Sequence, residues 1–168
     1  ATVTEVGDYA LANNAELTGF NFAPTNKAMI GSFVFSGCTA LTSIEFNGNI
    51  ESLGDRTFMG CTALVSVKFP SIVNIYGAGG SLTFKAIGDY TFWNTPKLES
   101  VEFGSNSNTV GNYTFAANDA IGRENLKTVK LGNAVKEIGD FAFYNCGALT
   151  EINLGGATKI GTSAFMGC

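Results

Sequence analysis

The most reactive side chains in this chain of 168 residues are four cysteines, Cys38, Cys61, Cys146 and Cys168. Two of them stand in near-duplicate frames, SGCTALTSIEF at 36–46 and MGCTALVSVKF at 59–69. Thiols in such frames could form a redox pair or half of a metal site. Histidine is absent, which removes the commonest acid/base near neutral pH and the usual companion of cysteine around zinc. Carboxylates could still hydrolyse glycosides if two of them faced each other across a groove. The run Gly77-Ala78-Gly79-Gly80 lacks the Lys-Ser/Thr of a phosphate loop and the strand–helix setting of a dinucleotide fingerprint, so it reads as a flexible insertion.

What these residues can do depends on the elements that hold them, and those elements repeat. The dipeptides Val6-Gly7, Ile30-Gly31, Leu53-Gly54, Ile87-Gly88, Val110-Gly111, Ile138-Gly139 and Ile160-Gly161 are separated, glycine to glycine, by 24, 23, 34, 23, 28 and 22 residues. The base period is about 23, with insertions near 70–83 and 119–125. Four residues after each glycine stands one large apolar anchor: Leu11, Phe35, Phe58, Phe92, Phe115, Phe143 or Phe165. Immediately after the glycine come Asp8, Ser32, Asp55, Asp89, Asn112, Asp140 and Thr162, all suited to capping a helix N-terminus. Six after it come Asn13, Gly37, Gly60, Asn94, Ala117, Asn145 and Gly167, and all but the alanine tolerate the left-handed conformation that ends a helix. A cap and a stop so close together predict a helical segment of about one turn.

The pattern then changes period. Phe20, Ile44, Val67, Val101, Val129 and Ile152 are followed two residues later by Phe22, Phe46, Phe69, Phe103, Leu131 and Leu154. That alternation predicts a short strand per coil with two inward residues. Strands this short are stable only when stacked on like neighbours. The expected fold is therefore a repeat solenoid, a right-handed coil of leucine-rich-repeat type and a single domain over 1–168. It carries a parallel β-sheet on one face, short capped helical turns on the other, and about seven coils of about 23 residues.

The segment IGDFAFYNCGALTEINL at 138–154 resembles the BspA-like, or Treponema-type, leucine-rich repeats, and the likeness runs through essentially the whole chain. It departs from the family pattern at Thr95 and Asn118, where cysteine is usual, and at the two insertions. The resemblance implies a secreted or surface-anchored protein and, where function is known, an adhesin toward host matrix proteins or other cells. It brings no catalytic residues. The last coil reads as truncated at Cys168, and its apolar end as a boundary, a missing cap or an end-to-end contact.

Within this frame the candidate chemistry recedes. All four cysteines fall seven residues after the glycine, so they stack in a line, whereas tetrahedral zinc needs its ligands around one point. Parallel stacking at ~4.8 Å leaves Cβ atoms wider apart than the ~3.8 Å a disulfide favours. Free, buried thiols at Cys38/Cys61 and Cys146/Cys168 are expected, with strained disulfides between neighbouring coils as the alternative. The outward strand column reads Asn21, Glu45, Lys68, Glu102, Lys130 and Asn153, a cross-strand charge ladder worth ~0.2–1 kcal/mol per pair. Opposite charges beside each carboxylate hold it ionised, which argues against a catalytic acid.

Recognition is the better use of these surfaces. Glu45, Lys68, Glu102, Lys130 and Glu151, interleaved with Ser and Thr, give a flat polar face of mixed sign that suits a protein partner. Two residues after each glycine stand Tyr9, Phe33, Arg56, Tyr90, Tyr113, Phe141 and Ser163, and five after it Trp93 and Tyr144 join the same turns. These rings are expected to be half exposed, with Trp93, beside the insertion carrying Tyr76, as the best single contact point. Net charge is −4 with no long basic run, which argues against nucleic acid, and no stretch of 18 apolar residues predicts membrane insertion. The expectation is a non-enzymatic extracellular or cell-surface scaffold that binds a host or cell-surface protein. It needs no cofactor or metal, and its open C-terminal coil could self-associate end to end. A structural spacer is the alternative, and a carbohydrate-binding or carbohydrate-active solenoid a weaker one.

Overall fold

A computed structural model of the chain describes residues 3–22, 28–47, 50–69, 87–104, 109–117 and 123–168. The alternating segments form the strands β2 (Gly19–Phe22), β4 (Ser43–Phe46), β6 (Ser66–Lys68), β7 (Ser100–Glu102), β9 (Thr128–Lys130) and β11 (Glu151–Asn153). They pair in that order as one parallel sheet of six strands. Register is strict: Ile44 aligns with Val67, Val67 with Val101, and Val101 with Val129. In the four inner strands the inward residues Ile44, Val67, Val101 and Val129 are buried and the outward Glu45, Lys68, Glu102 and Lys130 exposed, as strand alternation requires, whereas Phe20, Phe22 and Ile152 of the two end strands are half-buried.

A second ladder lies on the residues leading into the repeat glycines. It comprises β1 (Glu5–Val6), β3 (Ala28–Ile30), β5 (Ile50–Leu53), β8 (Thr109–Val110), β10 (Glu137–Ile138) and β12 (Lys159–Ile160). Parallel bridges from Leu53 to Ile87 and from Ile87 to Val110 join its two halves. Sequence patterning uses these positions as register marks and does not reveal their pairing, because each segment is only two to four residues long. The fold is a parallel β-solenoid. Six strands in the large sheet enclose five complete turns, so the seven coils expected from the glycines are too many. The last glycine motif, Ile160-Gly161, is followed by an arc and by no strand of the large sheet among the described residues.

The expected helical turns are absent from the described residues; each arc is a chain of hydrogen-bonded turns. The residue two after the glycine is left-handed throughout, from Tyr9 (φ 59°) to Ser163 (φ 51°), and this breaks any helix. Alternate amides then point along the solenoid axis. Tyr9 N donates to Ser32 O (3.0 Å), Leu11 N to Val34 O (3.0 Å) and Asn13 N to Ser36 O (2.7 Å), and later coils repeat the set. The amides between them close turns within the coil, as Ala12 N does on Tyr9 O (3.0 Å). A helix is about 10 Å across, roughly twice the spacing of parallel strands, so helical arcs could not stack in step with the sheet.

The residues expected to cap those helices have a different task. Asp8 Oδ1 accepts from Ser32 N (2.6 Å), Asp55 Oδ1 from Asp89 N (2.7 Å), Asp89 Oδ1 from Asn112 N (2.6 Å), and Asp140 Oδ1 from Thr162 N (2.7 Å). Each side chain staples its own coil to the next. Close approach also explains the repeat glycines. A Cβ on Gly54 would lie 2.5 Å from the carbonyl carbon of Gly31 and from Ser32 N, far inside contact distance.

The core is a pair of ring ladders. Phe35, Phe58, Phe92, Phe115, Phe143 and Phe165 stack with centroids 4.9–5.3 Å apart. Phe46, Phe69 and Phe103 form the second ladder at 5.0 and 5.2 Å. Buried Thr57, Thr91 and Thr114 satisfy their hydroxyls on Gly54, Gly88 and Gly111 carbonyls at 2.7–2.8 Å.

Candidate binding surface

The cysteine column is structural. Cys38, Cys61, Cys146 and Cys168 are free, and each thiol donates to a carbonyl of the preceding coil, on Leu11 (3.1 Å), Phe35 (3.0 Å), Phe115 (3.3 Å) and Phe143 (3.0 Å). Cys38, Cys61 and Cys146 are buried as expected, but Cys168, expected to be buried, is exposed. Burial raises the pKa of Cys38 and pushes Cys61 up to about 12, so both remain thiols near neutral pH. Cys146 is raised by its hydrogen bond to Cys168 and by burial. Among the described residues there is no group of three or more His, Cys, Asp and Glu able to hold a metal ion.

One residue that sequence reasoning passed over completes this column. Arg123 is only 2% exposed, and its guanidinium reaches the Phe92 carbonyl, the acceptor that cysteine serves in neighbouring coils (Nη2, 2.6 Å). Nη1 donates to Thr95 O (3.0 Å) and Thr95 Oγ1 (2.8 Å), and Nη2 also to Ala116 O (3.3 Å). Its Nε finds no acceptor among the described residues. Desolvation lowers its pKa to about 10, so it stays charged at neutral pH. Thr95 and the insertion after Ala117 marked a departure from the cysteine pattern. Nothing local signals that an arginine from that insertion turns inward.

The expected sheet-face residues lie where strand alternation puts them. Glu45, Lys68, Glu102 and Lys130 are exposed and stand in register on adjacent strands. Lys130 Nζ is 3.8 Å from Glu102 Oε2, with both side chains at least half exposed, so solvent screens the pair to a few tenths of a kcal/mol. Glu151 is exposed one column away, aligned with Thr128.

Trp93 stands on a separate side of the coil, on the arc, so the structure does not unite it with the charge ladder. Tyr76, its expected neighbour, lies outside the described residues. Trp93 instead meets Tyr90 (5.6 Å, 71° between planes) and Tyr113 (6.4 Å, 76°) edge to face. These belong to an outer ladder that runs along the arc. Tyr9 stacks on Phe33 at 4.6 Å, Tyr90 on Tyr113 at 4.8 Å, and Tyr113 on Phe141 at 4.8 Å, all within 8° of parallel. Arg56 occupies the one interior position without a ring, its guanidinium carbon 5.5 Å from the Phe33 centroid and 4.8 Å from that of Tyr90. Tyr144 adds an edge contact to Phe141 at 5.8 Å. Apart from the more open Tyr9, these side chains are half exposed.

The model of the BspA-type leucine-rich repeat region matches residues 1–79 and 81–168, in six copies. The chain belongs to the BspA-type leucine-rich repeat family. The six copies of this BspA-type chain agree with the six strands of its large sheet. Among solved structures, a leucine-rich repeat protein of T. pallidum is similar at a TM-score of 0.75 and 24% identity, over 99% of this chain and 70% of that one. A leucine-rich cell surface protein of Faecalibacterium prausnitzii is similar at a TM-score of 0.69 and 26% identity, over 99% of this chain and 41% of that one. This BspA-type chain thus spans less than half of that second protein. Comparison with curated protein sequences gave no match. No helix among the described residues is long and apolar enough to cross a membrane.

Proposed function

We propose that this protein is a non-enzymatic recognition module displayed outside the cell, which binds a host or cell-surface protein as an adhesin does. The observation that carries this reading is the outer aromatic ladder. The core is already filled by the inner phenylalanines, so Tyr90, Trp93, Tyr113 and Phe141 are surplus to it and half open to solvent. Tyr90, Tyr113 and Phe141 also sit at φ 53–55°, a conformation that costs a bulky residue ~1–2 kcal/mol. Rigid aromatic side chains on a fixed backbone lose little entropy on docking, and Tyr and Trp are enriched where binding energy concentrates. Membership of a family of bacterial surface proteins, and a cell surface protein among its structural relatives, support display outside the cell.

The test is a pull-down with soluble host-matrix and cell-surface proteins, comparing the wild type with Trp93→Ala and with the sheet-face reversal Glu102→Lys/Lys130→Glu. Recognition through the arc predicts at least tenfold weaker capture by Trp93→Ala and little change on reversal. The opposite pattern would move the site to the sheet face. No capture at micromolar concentration by any form would favour a spacer.

A further inference from the structure

The outer ladder already shows which foreign group it accepts. Between Phe33 and Tyr90 the ring is replaced by the guanidinium of Arg56, held over both faces at 5.5 and 4.8 Å. The same ladder has one further place without a ring. Above Phe141 the column continues with Ser163, in the same left-handed conformation (φ 51°) as the aromatic positions. A hydroxymethyl group is far too short to cover a six-membered ring. Phe141 therefore stacks on Tyr113 on one side (4.8 Å), meets Tyr144 at its edge (5.8 Å), and has no ring on the side of Ser163.

The charge beside this gap is net negative, because the nearby Lys159 is already ion-paired with Glu137 (2.6 Å) and leaves the charge of Asp140 in surplus. Asp140 precedes Phe141, is exposed, and uses Oδ1 to hold Thr162 N (2.7 Å). Of the corresponding positions along the arc, Asp8, Asp55 and Asp89 are acidic and with Glu5 line a groove of about 460 Å³; among the described residues no Lys or Arg lines it. The arc's own cation, Arg56, is already engaged between rings.

We propose that the gap over Phe141 is a recognition slot for an arginine side chain of a partner polypeptide. The guanidinium would stack on the open face of Phe141 as Arg56 stacks on Phe33, with Asp140 supplying the counter-charge. The rest of the basic segment would follow the acidic edge of the arc. A planar guanidinium can lie flat on the open ring face, whereas a lysine ammonium is rounder and more strongly hydrated. This rests on the reading of the arc as a protein-binding surface, and it adds the chemistry of the partner.

The experiment titrates the chain with tetra-arginine, tetra-lysine and tetra-glutamate peptides by NMR, following the arginine Hδ protons for the upfield shift that a ring face imposes. Ser163→Phe closes the slot with a side chain that this backbone position already carries at Phe33 and Phe141, so folding is preserved. Asp140→Asn removes the charge and keeps the oxygen that binds Thr162 N. The expected result is binding of tetra-arginine with shifted Hδ resonances, at least fivefold weaker binding of tetra-lysine, and none of tetra-glutamate. Ser163→Phe should raise the tetra-arginine Kd at least tenfold, and Asp140→Asn several-fold with a shallower salt dependence. Equal binding by wild type and Ser163→Phe, equal binding of the two basic peptides, or no binding of tetra-arginine at millimolar concentration would each overturn the proposal. A protein partner captured in a Trp93-dependent way would leave the broader reading standing in any of those cases.

Discussion

Replacing Arg123 by methionine keeps most of the stem volume and removes the guanidinium from the interior. Two opposed quantities decide the outcome. Its pKa falls from 12.5 to about 10, which corresponds to a cost of about 3 kcal/mol for burying the charge. Against this stand four hydrogen bonds from a charged donor, to Phe92 O, Thr95 O, Thr95 Oγ1 and Ala116 O. At ~1.5 kcal/mol each they contribute ~6 kcal/mol, so the arginine is net stabilising by about 3 kcal/mol. Urea unfolding followed by circular dichroism and Trp93 fluorescence reads this directly. With a slope near 2 kcal/mol per molar urea, the midpoint of Arg123→Met should fall by about 1.5 M. Arg123→Lys should recover only part of the loss, since one ammonium cannot span acceptors on three residues. An unchanged or raised midpoint for Arg123→Met would refute the reasoning. It would mean that an apolar side chain in this place outweighs a charged one held only by carbonyls and a hydroxyl.

Gly54→Ala should destabilise by about 3 kcal/mol, because its Cβ would meet Gly31 and Ser32 backbone at 2.5 Å. Gly7→Ala, with no other atom within 4 Å, should stay within about 0.5 kcal/mol, and equal losses at both sites would contradict the close-approach account. Asp55→Ala should cost about 1–2 kcal/mol by orphaning Asp89 N, whereas Asp55→Asn should be nearly neutral, as Asn112 already makes that bond to Asp140 N (2.9 Å). Thermal unfolding of the two variants distinguishes these outcomes. Cys38, Cys61 and Cys146 should resist a thiol reagent in the native chain at pH 8, and four thiols should react after unfolding without reductant; fewer than four would reveal a disulfide.

The large sheet and the inner rings were legible because burial repeats at fixed offsets: Val67, Val101 and Val129 fall under one another both in sequence and in space. The arcs were misjudged for a physical reason. Asp after the glycine and Asn or Gly five residues later are the residues a short helix would use, and here they serve bonds between coils instead. Local preference identified the right residue types and could not say which neighbour they bond, since that neighbour lies 22–34 residues away. The same limit hid Arg123, whose acceptors on Phe92 and Thr95 are 31 and 28 residues distant. The aromatic columns could be listed from sequence. That Arg56 completes their stack, and that Ser163 interrupts it, needed the vertical alignment of the coils.

The amides that leave each arc along the axis also decide how the molecule answers a pull. Tension between its two ends loads the contacts at one coil boundary at a time, not all of them in shear. The solenoid would then pay out length by shedding coils singly, each releasing roughly 80 Å of chain at about 3.5 Å per residue. A tether that lengthens in steps keeps the remaining coils, and any partner held on their arcs, intact while load is absorbed elsewhere.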